Sequence, residues 1–426
     1  MSARQLAAAR AIVAEIARHL RADCSVELWT GEVLPLGEGA RDDIRIRIAS
    51  PAAIGRLIRS PRLTTLVEVY LAGDLDIVGG SPLEALGRWD HLRAVHLKRH
   101  VDRRLMLRNA LPFVTARKPE DAGLGFAARV RRVAGRGRDD LGMIQFHYDV
   151  SNAFYALFLG EQMQYSSAVF AAFDEDLDAA QRRKLDLICT KLRLAPGARL
   201  LDIGCGWGGL AAHAAEHYGA SVHGVTLSAA QLEVARARTS RFGERVTLEL
   251  RDYRTLDAAE QYDAVAQIGM FEHVGIDNHD TFFAQMARLL RPGGLYLHQA
   301  TTRRATRDLA KFRRQSAYMK VINRWIFPGG ELDYIGMTAT NLERWGFEVR
   351  DVETMREHYH LTLKAWSERL YARREEAAAE AGLTRTRLWL LYFALSCMGF
   401  QRGVLCDFQT LAQKKVTGLS GLPLRR

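Results

Sequence analysis

Apolar residues recur at helical spacing from the start of the chain, at Leu6, Ile12, Val13, Ile16 and Leu20, and predict a helix over residues 1–22. Short runs at Ser25–Trp29 and Ile44–Ile48 read as strands, and Pro51–Arg59 and Thr64–Leu71 as helices. Residues 135–142, Gly-Arg-Gly-Arg-Asp-Asp-Leu-Gly, interrupt the pattern and predict a flexible connector. Beyond residue 180 the rhythm becomes regular. Helices are expected over 181–192, 208–218, 229–241 and 280–290, and strands near 199–203, 221–226, 246–250, 263–268 and 295–299. Such alternation predicts an α/β fold, a mainly parallel sheet with helices on both faces, preceded by a smaller α+β domain. The expected limits are 1–115 for the N-terminal domain, 116–140 for a basic linker and 141–426 for the main domain.

The first strand of the alternation, Arg199-Leu-Leu-Asp-Ile203, breaks into Gly204-Cys-Gly-Trp-Gly-Gly209 and then a helix. Glycines at 204 and 206 allow a sharp turn and close approach of a ligand. The helix N-terminus behind them offers free N–H groups. A dinucleotide site would place an acidic residue about 20 positions on, at the end of the second strand. Here that strand, Ser221–Thr226, is followed by Leu227-Ser228-Ala-Ala-Gln231, hydroxyls and an amide. Asp252-Tyr253 follows the third strand and Arg291-Pro-Gly-Gly294 precedes the fifth. This order disfavours NAD and matches a class I, Rossmann-like S-adenosylmethionine (SAM) methyltransferase sheet. Its ligand crevice lies beyond the strands' carboxyl ends, where Asp202, Gly204, Gly206, Thr226, Ser228, Gln231, Asp252 and Tyr253 are expected to bind the cofactor.

Composition narrows the partners. The net charge is +11, and between His91 and Asp140 thirteen Lys/Arg stand against five Asp/Glu. Basic residues beside Leu105, Met106, Leu107, Leu111 and Phe113 suit an anionic bilayer surface. No nucleic-acid-binding motif accompanies the charge, so nucleic acid is not expected as a partner. The longest apolar run, Leu388–Phe400, falls short of a membrane span. It can line an acyl channel or serve as core. Five cysteines, at 24, 189, 205, 397 and 406, lack paired or metal-type spacing. No metal site is expected, nor is a signal peptide visible. The expectation is a cytoplasmic protein, peripheral to the inner face of the membrane.

Asp202-Ile-Gly-Cys-Gly-Trp-Gly-Gly209, Gly224-Val-Thr-Leu-Ser228 with Gln231, and Gly269-Met-Phe-Glu-His-Val-Gly275 together resemble the cyclopropane-fatty-acyl-phospholipid synthase family. Upstream, Phe146–Asn152 and Gln164-Tyr-Ser-Ser-Ala-Val-Phe170 are similar to the segment that closes over the cofactor in that family. Trp325–Gly330 and His358-Tyr359 with Thr362 and Trp366 extend the likeness downstream. The resemblance implies that the N-terminal module is a lipid-associated domain. It implies methyl transfer from SAM to the double bond of an unsaturated phospholipid acyl chain, with bicarbonate as the bound proton acceptor, and possible homodimers. Carried over by motif, Glu272, His298, Tyr359 and Ser167 form the catalytic set, Glu272 orienting the network by accepting hydrogen bonds. Tyr148, Tyr165 and Ser166 join the cofactor site.

One position departs from the family pattern. Where the family commonly has Tyr-Ser-Cys-Ala, this chain reads Tyr165-Ser-Ser-Ala168. A serine keeps a small polar side chain and any backbone contact, yet leaves two products open. Loss of a proton from the new methyl, with closure onto the cationic carbon, forms a ring; other fates of the cation give a methyl- or methylene-branched chain. A catalytically silent lipid-binding protein is the reading from another class.

Overall fold

The computed structural model describes residues 3–89, 96–97, 99–114, 142–143, 150–257 and 261–424. The expected linker 116–140 and Tyr148 lie outside the described residues. Contacts divide the chain into two compact units. One comprises Met1–Ala127, Gln315–Trp325 and Leu370–Leu395; the other comprises Ala128–Arg314, Ile326–Arg369 and Ser396–Arg426. The sequence reading placed all of 141–426 together, whereas two of its segments cluster with the N-terminal residues.

The first unit holds a four-stranded sheet in the order β2-β1-β3-β4, with β1 Ser25–Glu27, β2 Val33–Pro35, β3 Arg45–Ile48 and β4 Leu75–Val78. The helix Ala3–Leu20 buries Ala8, Ala9, Ile12 and Val13 against Cys24, Val26, Leu28 and Phe113. Arg387 explains why a distant segment joins this unit. Its guanidinium donates to the carbonyls of Tyr70 (2.7 Å) and Leu75 (3.0 Å) and to Asp76 (2.9 Å), and lies 4.2 Å over the Tyr70 ring. Arg324 makes a similar tie, 2.8 Å from Glu68.

The second unit is built on a seven-stranded sheet ordered β10-β11-β9-β8-β5-β6-β7. Its strands are β5 Arg199–Ile203, β6 Ser221–Thr226, β7 Val246–Leu250, β8 Tyr262–Ile268, β9 Leu290–Arg303, β10 Phe347–Thr354 and β11 Leu405–Lys414. Strands β5 to β9 pair in parallel, while β11 runs antiparallel between β9 and β10. Alternation along β5 sends Leu200 to one face and Leu201 to the other. Leu185, Ile188 and Cys189 of the helix Leu177–Lys191 cover the first face, and Phe282, Phe283 and Met286 of the helix His279–Leu289 cover the second. Side-chain caps start the helices that frame the crevice. Asp176 accepts from the N–H groups of Asp178 and Ala179, and Ser228 accepts from that of Gln231.

The apolar run Leu388–Phe400 lies within the helix Leu383–Gln401, with Leu388, Trp389, Phe393 and Phe400 buried. No helix among the described residues is long and apolar enough to cross a membrane. All five cysteines are free.

Candidate cofactor and catalytic site

The crevice opens where β5 ends. Gly204, Gly206 and Gly208 take φ values of +78°, +52° and +76°, a backbone path closed to most side chains. The Gly204 and Cys205 N–H groups donate to Val225 O (2.9 and 3.1 Å), which pins the turn to β6. A Cβ at Gly204 would stand 3.1 Å from that of Met270, whereas one at Gly206 meets no atom nearer than 4.0 Å. The backbone at 206 therefore borders open space, a cleft of about 1110 Å³ counted with its solvent mouth. That is ample for a nucleoside-sized ligand. Tyr165, Ser166, Asp202, Thr226, Gln231 and Tyr253 are among its walls.

Several of the expected cofactor residues are held by named hydrogen bonds. Thr226 Oγ1 accepts from the Ser228 N–H (3.2 Å) and donates to Gln231 Oε1 (3.4 Å), locking the hydroxyl pair beneath the helix start. Both Asp252 oxygens accept from the Arg254 Nε–H (3.0 Å each), and Tyr253 is held by Gln285, which donates to its carbonyl (3.1 Å). Asp202 is buried, and its Oδ2 has no hydrogen-bond partner among the described residues. The segment carrying Tyr165 and Ser166 is fastened from below by Lys184, whose Nζ donates to Gln164 Oε1 (2.6 Å) and Ser166 Oγ (3.1 Å). Burial pulls Lys184 down to about 7, against the attraction of Asp202 and Asp407; burial raises Asp202 to about 7, against Lys184. An orphaned carboxylate oxygen beside a cradle of glycines fits the hydroxyl- and amine-bearing groups of SAM.

The four expected catalytic residues stand on separate elements. Glu272 sits in the tight turn Phe271–His273 after β8, and its Oε1 accepts the Thr301 N–H (2.7 Å). Its Oε2 is buried without a partner among the described residues, and burial raises its pKa. His298 lies within β9, paired with Gln267 of β8. The Gln267 amide, turned so that its oxygen accepts from the Met270 and Phe271 N–H groups (2.9 Å each), donates to His298 Nδ1 (2.9 Å). Tyr296 Oη lies 2.9 Å from the same nitrogen. Nδ1 is then an acceptor, and the proton resides on Nε2, another buried atom with no partner among the described residues. Burial and the neighbouring His279 pull His298 down to about 3, so the ring is neutral at physiological pH.

Ser167 is fully buried and its hydroxyl donates to Ala168 O (3.0 Å). The adjacent Ala168 N–H donates to Thr362 Oγ1 (2.9 Å) and the Phe170 N–H to His358 Nδ1 (3.1 Å), fixing this segment to the helix Arg356–Ala372. Tyr359 rises from that helix. The ring contacts that place it run to Phe400 (4.6 Å) and Trp366 (6.2 Å), and Trp366 in turn packs 5.3 Å from Tyr165. Thus Glu272 and Thr301 are bonded directly and Ser167 and Tyr359 are joined through the Thr362 helix, while the His298 ring, on the face of β9 opposite Gln299 and Thr301, packs in the aromatic core of Phe271, Phe282, Phe283 and Tyr296.

A family model for mycolic acid cyclopropane synthetase matches residues 136–410. The chain belongs to this family. A probable fatty acid methyltransferase from Pseudomonas putida is 36% identical over 391 residues, spanning 91% of each chain. The cyclopropane-fatty-acyl-phospholipid synthase of Escherichia coli strain K12 is 39% identical over 254 residues, 59% of this chain and 62% of that one. Among solved structures, a mycolic acid cyclopropane synthase complexed with S-adenosylhomocysteine (SAH) superposes with a TM-score of 0.60 at 32% identity, covering 64% of this chain and 98% of the other.

As a member of the mycolic acid cyclopropane synthetase family, the protein is a SAM-dependent C-methyltransferase. Four polar residues outside the sequence motifs surround the site: Lys184, Asp333 and Asp407, all buried, and the half-buried Thr301. Lys184 alone left a signal. It shares a helical face with Gln181, Leu185 and Ile188, so a cation stands on an otherwise core-facing stripe.

Proposed function

We propose that the protein transfers the methyl group of SAM to a cis double bond in the acyl chain of a membrane phospholipid and closes a cyclopropane ring. When bound, SAM supplies an electrophilic methyl on a sulfonium centre. An isolated alkene needs no base to attack it. The carbocation that results must be shielded and must lose one proton, from the added methyl if a ring is to form. Aromatic faces of the kind clustered at Tyr155, Phe158, Tyr165 and Trp366 suit the cation.

The observation that carries this reading is Glu272 Oε2, a buried carboxyl oxygen without a partner among the described residues, in the turn that follows β8. Left unsatisfied, it would cost about 1–3 kcal/mol. A buried carboxyl group suits a small, partly protonated anion such as bicarbonate, which supplies proton acceptance when bound. Glu272, Tyr359 and the backbone at Ser167 would hold it, whereas the His298 ring packs among Phe271, Phe282 and Phe283.

Methyl transfer without ring closure is the second reading. Ser167 favours it, because its hydroxyl is committed to Ala168 O and stands where the family commonly has a thiol. So does the probable fatty acid methyltransferase, matched over nearly its full length. We also propose that the protein works at an anionic membrane surface on the cytoplasmic side. On the helix Arg103–Val114, Leu107, Leu111 and Val114 are 70%, 62% and 50% exposed, spaced along one face among Arg103, Arg104 and Arg108.

Glu272→Ala tests the assignment. With SAM and vesicles of cis-monounsaturated phospholipid, turnover should fall by about 100-fold or more while SAH affinity stays near that of the parent. Undiminished turnover would remove Glu272 from the site. SAH binding by the parent with no turnover on any lipid would favour a silent lipid-binding protein.

A further inference from the structure

Behind Glu272 runs a buried row of hydrogen bonds that ends near the surface. Lys191 Nζ donates to Gln409 Oε1 (2.9 Å) and also pairs with Glu353. Gln409 Nε2 donates to Gln299 Oε1 (3.0 Å), and Gln299 Nε2 donates to Asp407 Oδ2 (2.7 Å). Asp407 Oδ1 lies 3.4 Å from Thr301 Oγ1, the Thr301 backbone N–H donates to Glu272 Oε1 (2.7 Å), and the Thr301 hydroxyl is near enough to that carboxyl to lower its pKa. Gln299, Asp407 and Gln409 are each at most 2% exposed.

The row has a fixed direction. An ammonium only donates, so Lys191 fixes the orientation of the Gln409 amide, which fixes that of Gln299, which delivers an N–H to Asp407. Continued in the same sense, Asp407 donates to Thr301 and the Thr301 hydroxyl donates to Glu272. That last stretch requires a proton on Asp407 Oδ1. If Asp407 is ionised, the Thr301 hydroxyl must turn toward it and away from Glu272.

Resting on the proposed acyl methyl transfer, we infer that Asp407 is a positioning residue that holds a proton at neutral pH and, through the Thr301 hydroxyl, keeps Glu272 ionised and oriented. Two buried carboxylates this close do not both ionise readily, and their protons leave in steps that belong to the pair. Burial and the Glu272 charge raise Asp407 to about 7. The other charged groups facing the pair are Lys184, shared between Asp407 and Asp202, and Asp333, which burial and Glu272 also raise to about 7. Side-chain amides do not relay protons, so the row from Gln299 outward orients but does not drain the pair.

The test uses the full chain with SAM and vesicles of cis-monounsaturated phospholipid, with turnover followed against pH. Asp407→Asn mimics the protonated acid: its oxygen accepts from Gln299 and its NH₂ donates to Thr301. Turnover at neutral pH should fall by less than about 10-fold while the basic limb of the parent profile disappears. A loss above about 100-fold at every pH, or an unchanged basic limb, would overturn the inference. Infrared spectra supply a readout without turnover: the parent at pH 7 should show a carboxylic acid C=O band that Asp407→Asn lacks. Identical bands would overturn the inference even if the acyl substrate proved wrong. Thr301→Val keeps the backbone N–H to Glu272 and removes only the hydroxyl. It serves if Asp407→Asn does not fold, and it should move the basic limb to lower pH; an unmoved limb counts against the inference.

Discussion

Lys184→Met removes the charge that, among the described residues, attracts both Asp202 and Asp407, and leaves a side chain of similar length in a fully buried position. Two hydrogen bonds go with it, to Gln164 and Ser166. Asp202 Oδ2 already lacks a partner among the described residues, so nothing replaces the lost attraction. Each buried acceptor left without its donor costs about 1–3 kcal/mol, a large share of about 5–15 kcal/mol of typical stability. The cost should depend on pH. In the parent, burial lowers the Lys184 pKa, so folding binds that proton less well and Lys184 costs more stability as pH falls from its unfolded value toward about 7. The variant lacks that term. Its Asp202 pKa also rises further, so the acid neutralises as pH falls and the penalty on its charged form lifts. Both effects narrow the gap as pH drops from 8 to 6. Urea denaturation of parent and variant at both pH values, with and without SAH, measures it. A loss below about 1 kcal/mol, or a gap that widens toward pH 6, would refute the reasoning.

Gly204→Val should abolish measurable SAH binding by calorimetry, since a side chain there faces both φ +78° and Met270; parental affinity would mean the cofactor lies elsewhere. Because burial holds His298 near 3, its ring signals should not titrate between pH 5 and 8 in NMR, and a histidine with so low a folded pKa costs stability as pH falls below about 6.5. Leu107→Glu with Leu111→Glu should weaken flotation with anionic vesicles by about tenfold or more at unchanged SAH affinity; unaltered flotation would take the helix Arg103–Val114 out of the membrane proposal.

What could be read from the chain follows its periodicity. Strands β5 to β8 are short apolar runs closed by glycines or hydroxyls, and their carboxyl ends carry Asp202, Thr226 and Asp252 where the open-sheet rule puts a ligand. Strand β11 was missed because it is central yet polar: Asp407, Gln409, Thr410 and Gln413 are all buried there. Their partners lie on β9, β10 and a helix more than 200 residues upstream, so no local window shows why such residues would be interior. The same distance hid the membership of Gln315–Trp325 and Leu370–Leu395 in the first unit, which depends on single arginines such as Arg324 and Arg387. Glu272 was found through its motif, but its company of Thr301, Asp333 and Asp407 needed the fold.

The central claim concerns the product. Proton NMR and mass spectrometry of the fatty esters, after incubation of the full chain with SAM and cis-monounsaturated phospholipid vesicles, test it most directly. The account predicts a gain of one CH₂ with upfield cyclopropane protons. The same mass gain with vinylidene signals would assign a methylene branch and point to Ser167, and an unchanged mass beside intact SAH binding would contradict methyl transfer to this acyl chain.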